Sequence, residues 1–144
     1  MNAMNATHLA TLLFIAGLLH LAITSAGLVM TLVLDWRRTL LPLCALTRHI
    51  IWTHGAFVLM TIIGFGVISL IAAPDLASGT TLARAFCAFV ALFWLARLGV
   101  QFFVFDASPI LTRMYVKLGY HGLTVVFFAL VLIYGDAAYA PRGH

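Results

Sequence analysis

Trp94-Leu-Ala-Arg97-Leu-Gly-Val-Gln101-Phe-Phe-Val-Phe-Asp106 is the stretch that decides how this chain folds. It carries Arg97 and, one helical turn later, Gln101 inside a segment apolar enough to cross a membrane. An arginine at the centre of a bilayer costs roughly 2.5–3.5 kcal/mol on insertion scales, so such residues usually face a protein interior and a partner. The stretch therefore predicts a membrane helix whose polar face is turned towards other helices.

The composition is that of a membrane protein. Of the 144 residues, 64% are hydrophobic and 8% are charged, whereas soluble domains average about 25% charged residues. The apolar residues fall into four blocks, each close to the roughly 20 residues that a helix needs to cross hydrocarbon. We expect spans at about residues 9–34, 49–73, 82–105 and 115–134, in a single transmembrane domain that takes up residues 1–144.

The distribution of basic residues sets the expected orientation. Five of them lie in and around the first and third loops, namely Arg37, Arg38, Arg48, Arg113 and Lys117, and two lie on the other side, namely Arg84 and Arg142. The positive-inside rule then places both termini in the periplasm, with the protein in a bacterial inner membrane. Short connections between the spans favour an all-α, integral membrane, antiparallel up-down four-helix bundle.

Small and polar residues mark the faces on which the spans should pack. In the first span Gly17, His20 and Thr24 recur at steps of three and four residues, which puts them on one helical face. Such faces let membrane helices approach closely and form hydrogen bonds to one another. We expect His20 to be satisfied by a neighbouring helix, Gly64 and Gly66 to allow close packing, and Tyr134 to anchor the tail at the interface, as Tyr139 should.

Polar residues from different spans are expected at similar depths. The second and fourth spans both start at the cytoplasmic side, which puts His54 and His121 roughly 9–12 Å into the membrane at about 1.5 Å per residue. Arg97 lies at about 13 Å, Gln101 is shallower and His20 is nearer the midplane. We therefore predict that these five residues form a polar cluster in the cytoplasmic half, and we take them as the candidate cofactor-binding set.

The sequence lacks the residues that several classes of protein function need. No Asp or Glu lies within a predicted span, whereas proton pumps and carboxylate-bridged metal sites use intramembrane acids. The chain has no Ser-His-Asp arrangement, no Gly-rich phosphate loop and no His-Glu-x-x-His motif, and a zinc site would need three or four close ligands. The basic residues form no stripe of the kind that binds nucleic acid. We predict no catalytic residue, no metal site and no nucleic-acid partner.

Three interpretations of the polar cluster remain. In the first, which we prefer, the chain is a small non-catalytic subunit or binding module of a membrane complex. Its partners would be membrane lipids and either other membrane subunits or a second copy. In the second, the chain is a b-type haem electron-transfer protein that exchanges electrons with quinone. His54 and His121 are then the axial ligands, and the propionates meet Arg97 or the cytoplasmic bases. In the third, Arg97 holds the phosphate of an isoprenoid or another lipid.

Two motifs carry a resemblance to known proteins. Arg48-His49-x-x-Trp52 and Trp94-x-x-Arg97-Leu98-x-x-Gln101-Phe102-Phe103-x-x-Asp106 resemble sequences of a family of short four-span bacterial membrane proteins. The similarity runs from the first span to the fourth. It implies a four-span protein, and it assigns neither an activity nor a functional residue.

Overall fold

The computed structural model describes residues 3–103 and 114–139, and within these ranges the chain forms helices and no strand. In chain order the helices are α1 (Ala3–Val33), α2 (Trp36–Thr39), α3 (Ala45–Ile71), α4 (Ala73–Ala77), α5 (Thr81–Phe103) and α6 (Met114–Tyr139). The four long helices, α1, α3, α5 and α6, are each long and apolar enough to cross a membrane. The predicted all-α class and the four candidate spans are confirmed.

The ends of two helices differ from the expected span limits. Helix α1 begins at Ala3 rather than near residue 9, and α6 continues to Tyr139 rather than ending near residue 134. Helix α6 therefore includes Asp136, which is exposed close to the end of the helix. Asp136, which the sequence analysis placed after the last span, therefore lies in the last turn of α6, because the helix runs five residues further than the apolar block suggested.

The turn between α3 and α5 follows from its residues. Pro74 lies in the first turn of α4, where the missing N–H of proline leaves no intrahelical hydrogen bond unmade. Gly79 has φ 71°, a left-handed conformation that suits glycine, and it leads into α5. Ala73, Leu76 and Ala77 are buried, and α4 packs against α1. This connection is therefore part of the core.

The long helices associate as two pairs, α1 with α3 and α5 with α6, and α1 also contacts α6. Helices α1 and α3 cross closely at Gly17 and Gly66. A Cβ atom added at Gly66 would lie 2.9 Å from the Cβ of His20, and one at Gly17 would lie 2.7 Å from Cγ of Leu70. A Cβ at Gly64 would meet nothing within 4 Å. Gly66 thus allows close packing as expected, whereas Gly64 does not take part in it.

The two pairs pack together over only part of their length. On α1, His20 is completely buried, whereas Gly27, two turns later on the same face, is exposed. On α3, Phe65 is buried, whereas Val58, two turns earlier on the same face, is 38% exposed. We call the part that contains His20 and Phe65 the closed half, and the part that contains Gly27 and Val58 the open half.

Candidate functional site

His20 lies at the centre of the closed half. Its Nδ1 donates a hydrogen bond to the carbonyl oxygen of Ala16 at 2.7 Å, and its Nε2 accepts one from Nε1 of Trp94 at 3.0 Å. Since an indole N–H can only donate, Nε2 must carry a lone pair, and the imidazole is neutral with its proton on Nδ1. Both ring nitrogens are engaged, so His20 links α1 to α5 and offers no nitrogen to a haem iron.

Aromatic rings from the other three long helices surround His20. The rings of Phe65, Trp94 and Tyr134 lie edge-on to the imidazole, with centroid distances of 6.1, 5.4 and 5.8 Å. Phe127 stacks on Trp94 with the ring centroids 4.8 Å apart. Aromatic pairs in such geometries contribute stability beyond the area that they bury. This cluster joins all four long helices and fixes the closed half.

A second buried hydrogen bond crosses the closed half, between the hydroxyls of Ser69 on α3 and Tyr134 on α6, at 2.5 Å. Both side chains are fully buried. The expectation that Tyr134 anchors the tail at the interface is therefore wrong, because Tyr134 lies on the buried face of α6 and packs against His20. Tyr139, at the end of α6, is 85% exposed.

Arg97 and Gln101 lie together at the border between the two halves. Gln101 is buried, and its Nε2 donates to Oγ1 of Thr124, which in turn donates to the carbonyl oxygen of Tyr120. Arg97 is half-buried, and its Cζ lies 5.4 Å from the ring centroid of Phe127. At this distance a guanidinium is attracted to the face of an aromatic ring.

The structure does not bring His54 and His121 to a shared buried centre, since both side chains are exposed. His54 lies three turns before Phe65 and therefore on the same face of α3, but in the open half. His121 lies 13 residues before Tyr134, so it is rotated by roughly 140° from the buried face of α6. Among the residues that the structure describes, no group of three or more His, Cys, Asp or Glu is placed to hold a metal ion.

Thr24 is a site residue that the sequence places on a packing face of α1. The sequence does not show whether its hydroxyl forms a hydrogen bond. It lies one turn after His20 on α1, at the border of the open half, and only 9% of it is exposed. Its Oγ1 is buried and has no hydrogen-bond partner among the described residues. Buried hydroxyls are usually paired, so an unpartnered one calls for an explanation. A pattern of residue types cannot show which rotamer a threonine adopts.

Arg84, the other arginine of α5, has a role that is easily assigned. Its Nε donates to the carbonyl oxygen of Ala138 at 2.8 Å, near the end of α6. The last carbonyls of a helix have no intrahelical partner, and basic side chains commonly satisfy them. Arg84 therefore joins α5 to α6 at the opposite end of α5 from Arg97.

Comparisons of the chain with protein-family models, with curated proteins and with solved structures found no match. The functional argument therefore rests on the geometry of the described residues. That geometry is a closed half in which four helices are joined by buried aromatic and hydrogen-bonded side chains, and an open half at whose border Arg97, Gln101 and Thr24 lie.

Proposed function

We propose that the protein is a small non-catalytic binding subunit of the bacterial inner membrane, an antiparallel up-down four-helix bundle with both termini in the periplasm. Four helices of sufficient length and apolarity support membrane insertion. The excess of bases around the first loop supports the orientation. The single observation that carries the function is the contrast between a packed half whose polar groups satisfy one another and an open half whose polar groups face outwards.

The closed half has the properties of a scaffold. Its buried histidine is held in one tautomer by Ala16 and Trp94, and its buried tyrosine hydroxyl is bonded to Ser69. Polar groups whose hydrogen bonds are satisfied within the protein stabilise the fold, and they are not available to bind a ligand or to transfer a proton. We therefore assign the closed half to holding the four helices in place.

The open half has the properties of a binding surface. His54 lies nine residues after the start of α3, about 13 Å along the helix axis. A polar side chain at that depth is costly when it faces lipid tails, and in membrane proteins such residues mark functional sites. His54 is exposed in the isolated chain, so binding of another molecule is what would cover it.

A photo-crosslinking amino acid at position 54, in native membranes, tests the proposed function. We expect one defined adduct, because a bound molecule would lie against His54 in a fixed position. The same probe at Leu95 is the control, since that side chain is 55% exposed and lies a quarter-turn from Trp94, away from the core. Identical adducts at positions 54 and 95 would show that His54 faces bulk lipid and would contradict the proposal.

The haem alternative is not favoured by the arrangement of the histidines. An axial pair has to face one iron, whereas His121 is turned away from the core of α6 and His20 is engaged on both nitrogens. A reduced-minus-oxidised spectrum of the purified protein decides the matter. Bands of a b-type haem that disappear in both His54→Ala and His121→Ala would favour haem over the function proposed here.

A further inference from the structure

We infer that the connection between α1 and α3 is a surface that binds the head groups of anionic phospholipids through Arg37 and Arg48. These arginines stand beside a pair of contacting tryptophans, Trp36 and Trp52, and we call the four residues the basic surface. The inference rests on the proposed membrane insertion and does not depend on the binding surface at His54. Three observations carry it: the contact between the rings, the lack of an acidic partner for the two arginines, and exposed leucines beside them.

The contact between the tryptophans fixes the shape of this connection. The rings of Trp36 in α2 and Trp52 in α3 meet edge to face, with their centroids 6.1 Å apart. The hydroxyl of Thr39 donates a hydrogen bond to the carbonyl oxygen of Leu34, just after α1, at 3.1 Å. Helix α2 is therefore held against its neighbours on both sides, and the arginine that it carries has a defined place.

Both arginines of the basic surface lie next to the ring pair. Arg37 follows Trp36 in the sequence, and Arg48 lies one turn before Trp52 on α3. Residues four positions apart are neighbours on the same face of a helix. The ring contact therefore brings together the two segments that carry these positive charges.

Helix α3 is long enough to hold Arg48 among lipid head groups. Its 27 residues extend over about 40 Å, whereas the hydrocarbon core of a bilayer is about 30 Å thick. The ends of a spanning α3 therefore reach into the head-group layers. Arg48 lies in the first turn of the helix, and Trp52 follows one turn later, as tryptophans at the border between head groups and acyl chains commonly do.

The charge of the connection is positive and only partly compensated. Its acid is Asp35, whose carboxylate lies 3.4 Å from Nε of Arg38. Among the residues that the structure describes, no carboxylate lies within ion-pair distance of Arg37 or Arg48. A guanidinium is permanently charged and forms paired hydrogen bonds with phosphate oxygens. The basic surface is therefore complementary to the negative potential of a leaflet that contains anionic lipids.

Exposed leucines favour a phospholipid over a free anion or an acidic protein. Leu41, after α2, is 63% exposed, and Leu46, at the start of α3, is 70% exposed. A dissolved phosphate would leave both side chains in water, whereas a phospholipid covers them with its acyl chains while its phosphate meets the arginines. Segments that combine basic and apolar side chains bind at membrane interfaces, and anionic lipids strengthen that binding.

Quenching of tryptophan fluorescence by brominated lipids, with the full chain in nanodiscs, tests the basic surface. The chain has three tryptophans, and Trp94 is buried, so Trp36 and Trp52 report contact with lipid. The nanodiscs contain phosphatidylcholine and phosphatidylglycerol at a fixed ratio, and one or the other lipid carries bromine on its acyl chains close to the head group. We expect stronger quenching by brominated phosphatidylglycerol, because this lipid would be enriched around the ring pair.

The arginine variants show whether charge at this position selects the lipid. Arg37→Gln and Arg48→Gln should each lower the preference for phosphatidylglycerol by up to about fivefold, the effect of one basic residue near an anionic membrane surface. The double variant should be quenched equally by the two brominated lipids. Arg84→Gln is the matched control, because it removes the same charge near the opposite end of α3 and α6, where Nε of Arg84 binds the carbonyl oxygen of Ala138. It should leave the preference unchanged.

The unmodified chain provides a second measurement if an arginine variant fails to fold. Salt at about 1 M shortens the screening length to about 3 Å, so the preference for phosphatidylglycerol should fall as salt is added. A preference that salt leaves unchanged would mean that the acyl chains select the lipid, and it would overturn the inference.

Four other results would also overturn it. Equal quenching of the unmodified chain by both lipids would remove the basic surface, as would a preference that survives the double variant. Equal losses in Arg37→Gln and Arg84→Gln would mean that the lipid follows the net charge of the chain. A photo-crosslinker at position 41 that gives a protein adduct in native membranes would mean that an acidic protein covers the connection.

Failure of the basic surface and failure of the proposed function are distinguishable. Any of these results, combined with a defined adduct at position 54, would leave the proposed binding subunit standing without its lipid surface. Identical adducts at positions 54 and 95, combined with a preference for phosphatidylglycerol that the double variant abolishes, would leave the basic surface standing alone.

Discussion

The closed and open halves use the same residue types in opposite ways. In the closed half His20 has both ring nitrogens bonded, to Ala16 and to Trp94, and is completely buried. In the open half His54 is exposed, although it lies on the face of α3 that is buried at Phe65. The comparison indicates that a polar residue in an apolar helix has a structural role where neighbouring groups form hydrogen bonds with it. Where the residue is exposed instead, it is a candidate for binding.

The two short connecting helices, α2 and α4, differ in burial as the two halves do. Helix α4, between α3 and α5, buries three of its five residues against the rest of the protein. Helix α2, between α1 and α3, buries none, and the turn into it contains Asp35 at φ 44°, a left-handed conformation that asparagine and aspartate tolerate better than most residues. The core therefore continues into one connection and ends before the other.

The largest effect on stability is expected where α1 and α3 cross. Gly66→Leu should lower the free energy of unfolding by about 1–3 kcal/mol, because its side chain would overlap His20 and the backbone of Gly17. Gly64→Leu is the control and should cost little, since a Cβ there meets nothing within 4 Å. Unfolding in mixed micelles measures both. Equal losses would mean that the helices do not cross at Gly66.

The two histidines offer the most direct comparison of the halves. His20→Leu should destabilise the protein by about 1–3 kcal/mol, because it leaves the buried N–H of Trp94 without an acceptor. His54→Leu should change the free energy of unfolding by less than about 0.5 kcal/mol, as surface substitutions generally do. The same unfolding measurement applies. A loss at position 54 as large as that at position 20 would contradict the division into halves.

A smaller effect is expected for the buried hydroxyl pair. Tyr134→Phe and Ser69→Ala should each cost about 0.6 kcal/mol and at most about 1.7 kcal/mol, the average and the maximum found for hydrogen bonds between membrane helices. The double variant should cost less than the sum of the two, because the residues share one bond. Tyr139→Phe serves as the control, since Tyr139 is exposed. Strict additivity of Tyr134→Phe and Ser69→Ala would show that the hydroxyls do not interact.

The smallest effect concerns Cys44, in the exposed first connection. The hydroxyl of Thr47 lies 3.0 Å from its sulfur and lowers the pKa of the Cys44 thiol by stabilising the thiolate. Thr47→Val should therefore raise this pKa and slow maleimide labelling at neutral pH, with no difference at a pH well above both values. Cys87 is buried and should not react.

The same label reports the orientation of the chain. If the first loop is cytoplasmic, a membrane-impermeant maleimide should label Cys44 only after the cells have been opened. Labelling of Cys44 in intact cells would reverse the proposed topology. A labelling rate at neutral pH that Thr47→Val leaves unchanged would show that Thr47 does not act on the thiol.

Sequence reasoning predicted the features that depend on position along a helix. The apolar blocks predicted four long helices, and the spacing of Gly17, His20 and Thr24 predicted a buried face on α1, as the structure describes it. Distance along an axis follows from the number of residues, so depth can be counted. Helix ends were less predictable, because α6 continues through Asp136 after its apolar block has ended.

Features that depend on rotation and on pairing between helices could not be read from the sequence. His121 matches His54 in expected depth, yet it is turned away from the buried face of α6. The sequence shows that Trp94 lies three residues before Arg97, but the bond from Trp94 to His20 depends on how α5 is rotated against α1. The exposure of the open half has no sequence signature, because an exposed apolar residue of a membrane helix and a buried one are of the same type.

Crosslinking between α3 and α5 in membranes tests the central claim, that the helix pairs are joined in one half and apart in the other. In a background that lacks Cys44 and Cys87, cysteines at positions 65 and 93 should react together with a short thiol-specific crosslinker, since the native rings are 5.3 Å apart. Cysteines at positions 58 and 100, in the same register two turns further on, should not. Equal crosslinking of the two pairs would show that the helices are packed along their whole length and would contradict the division into a closed and an open half.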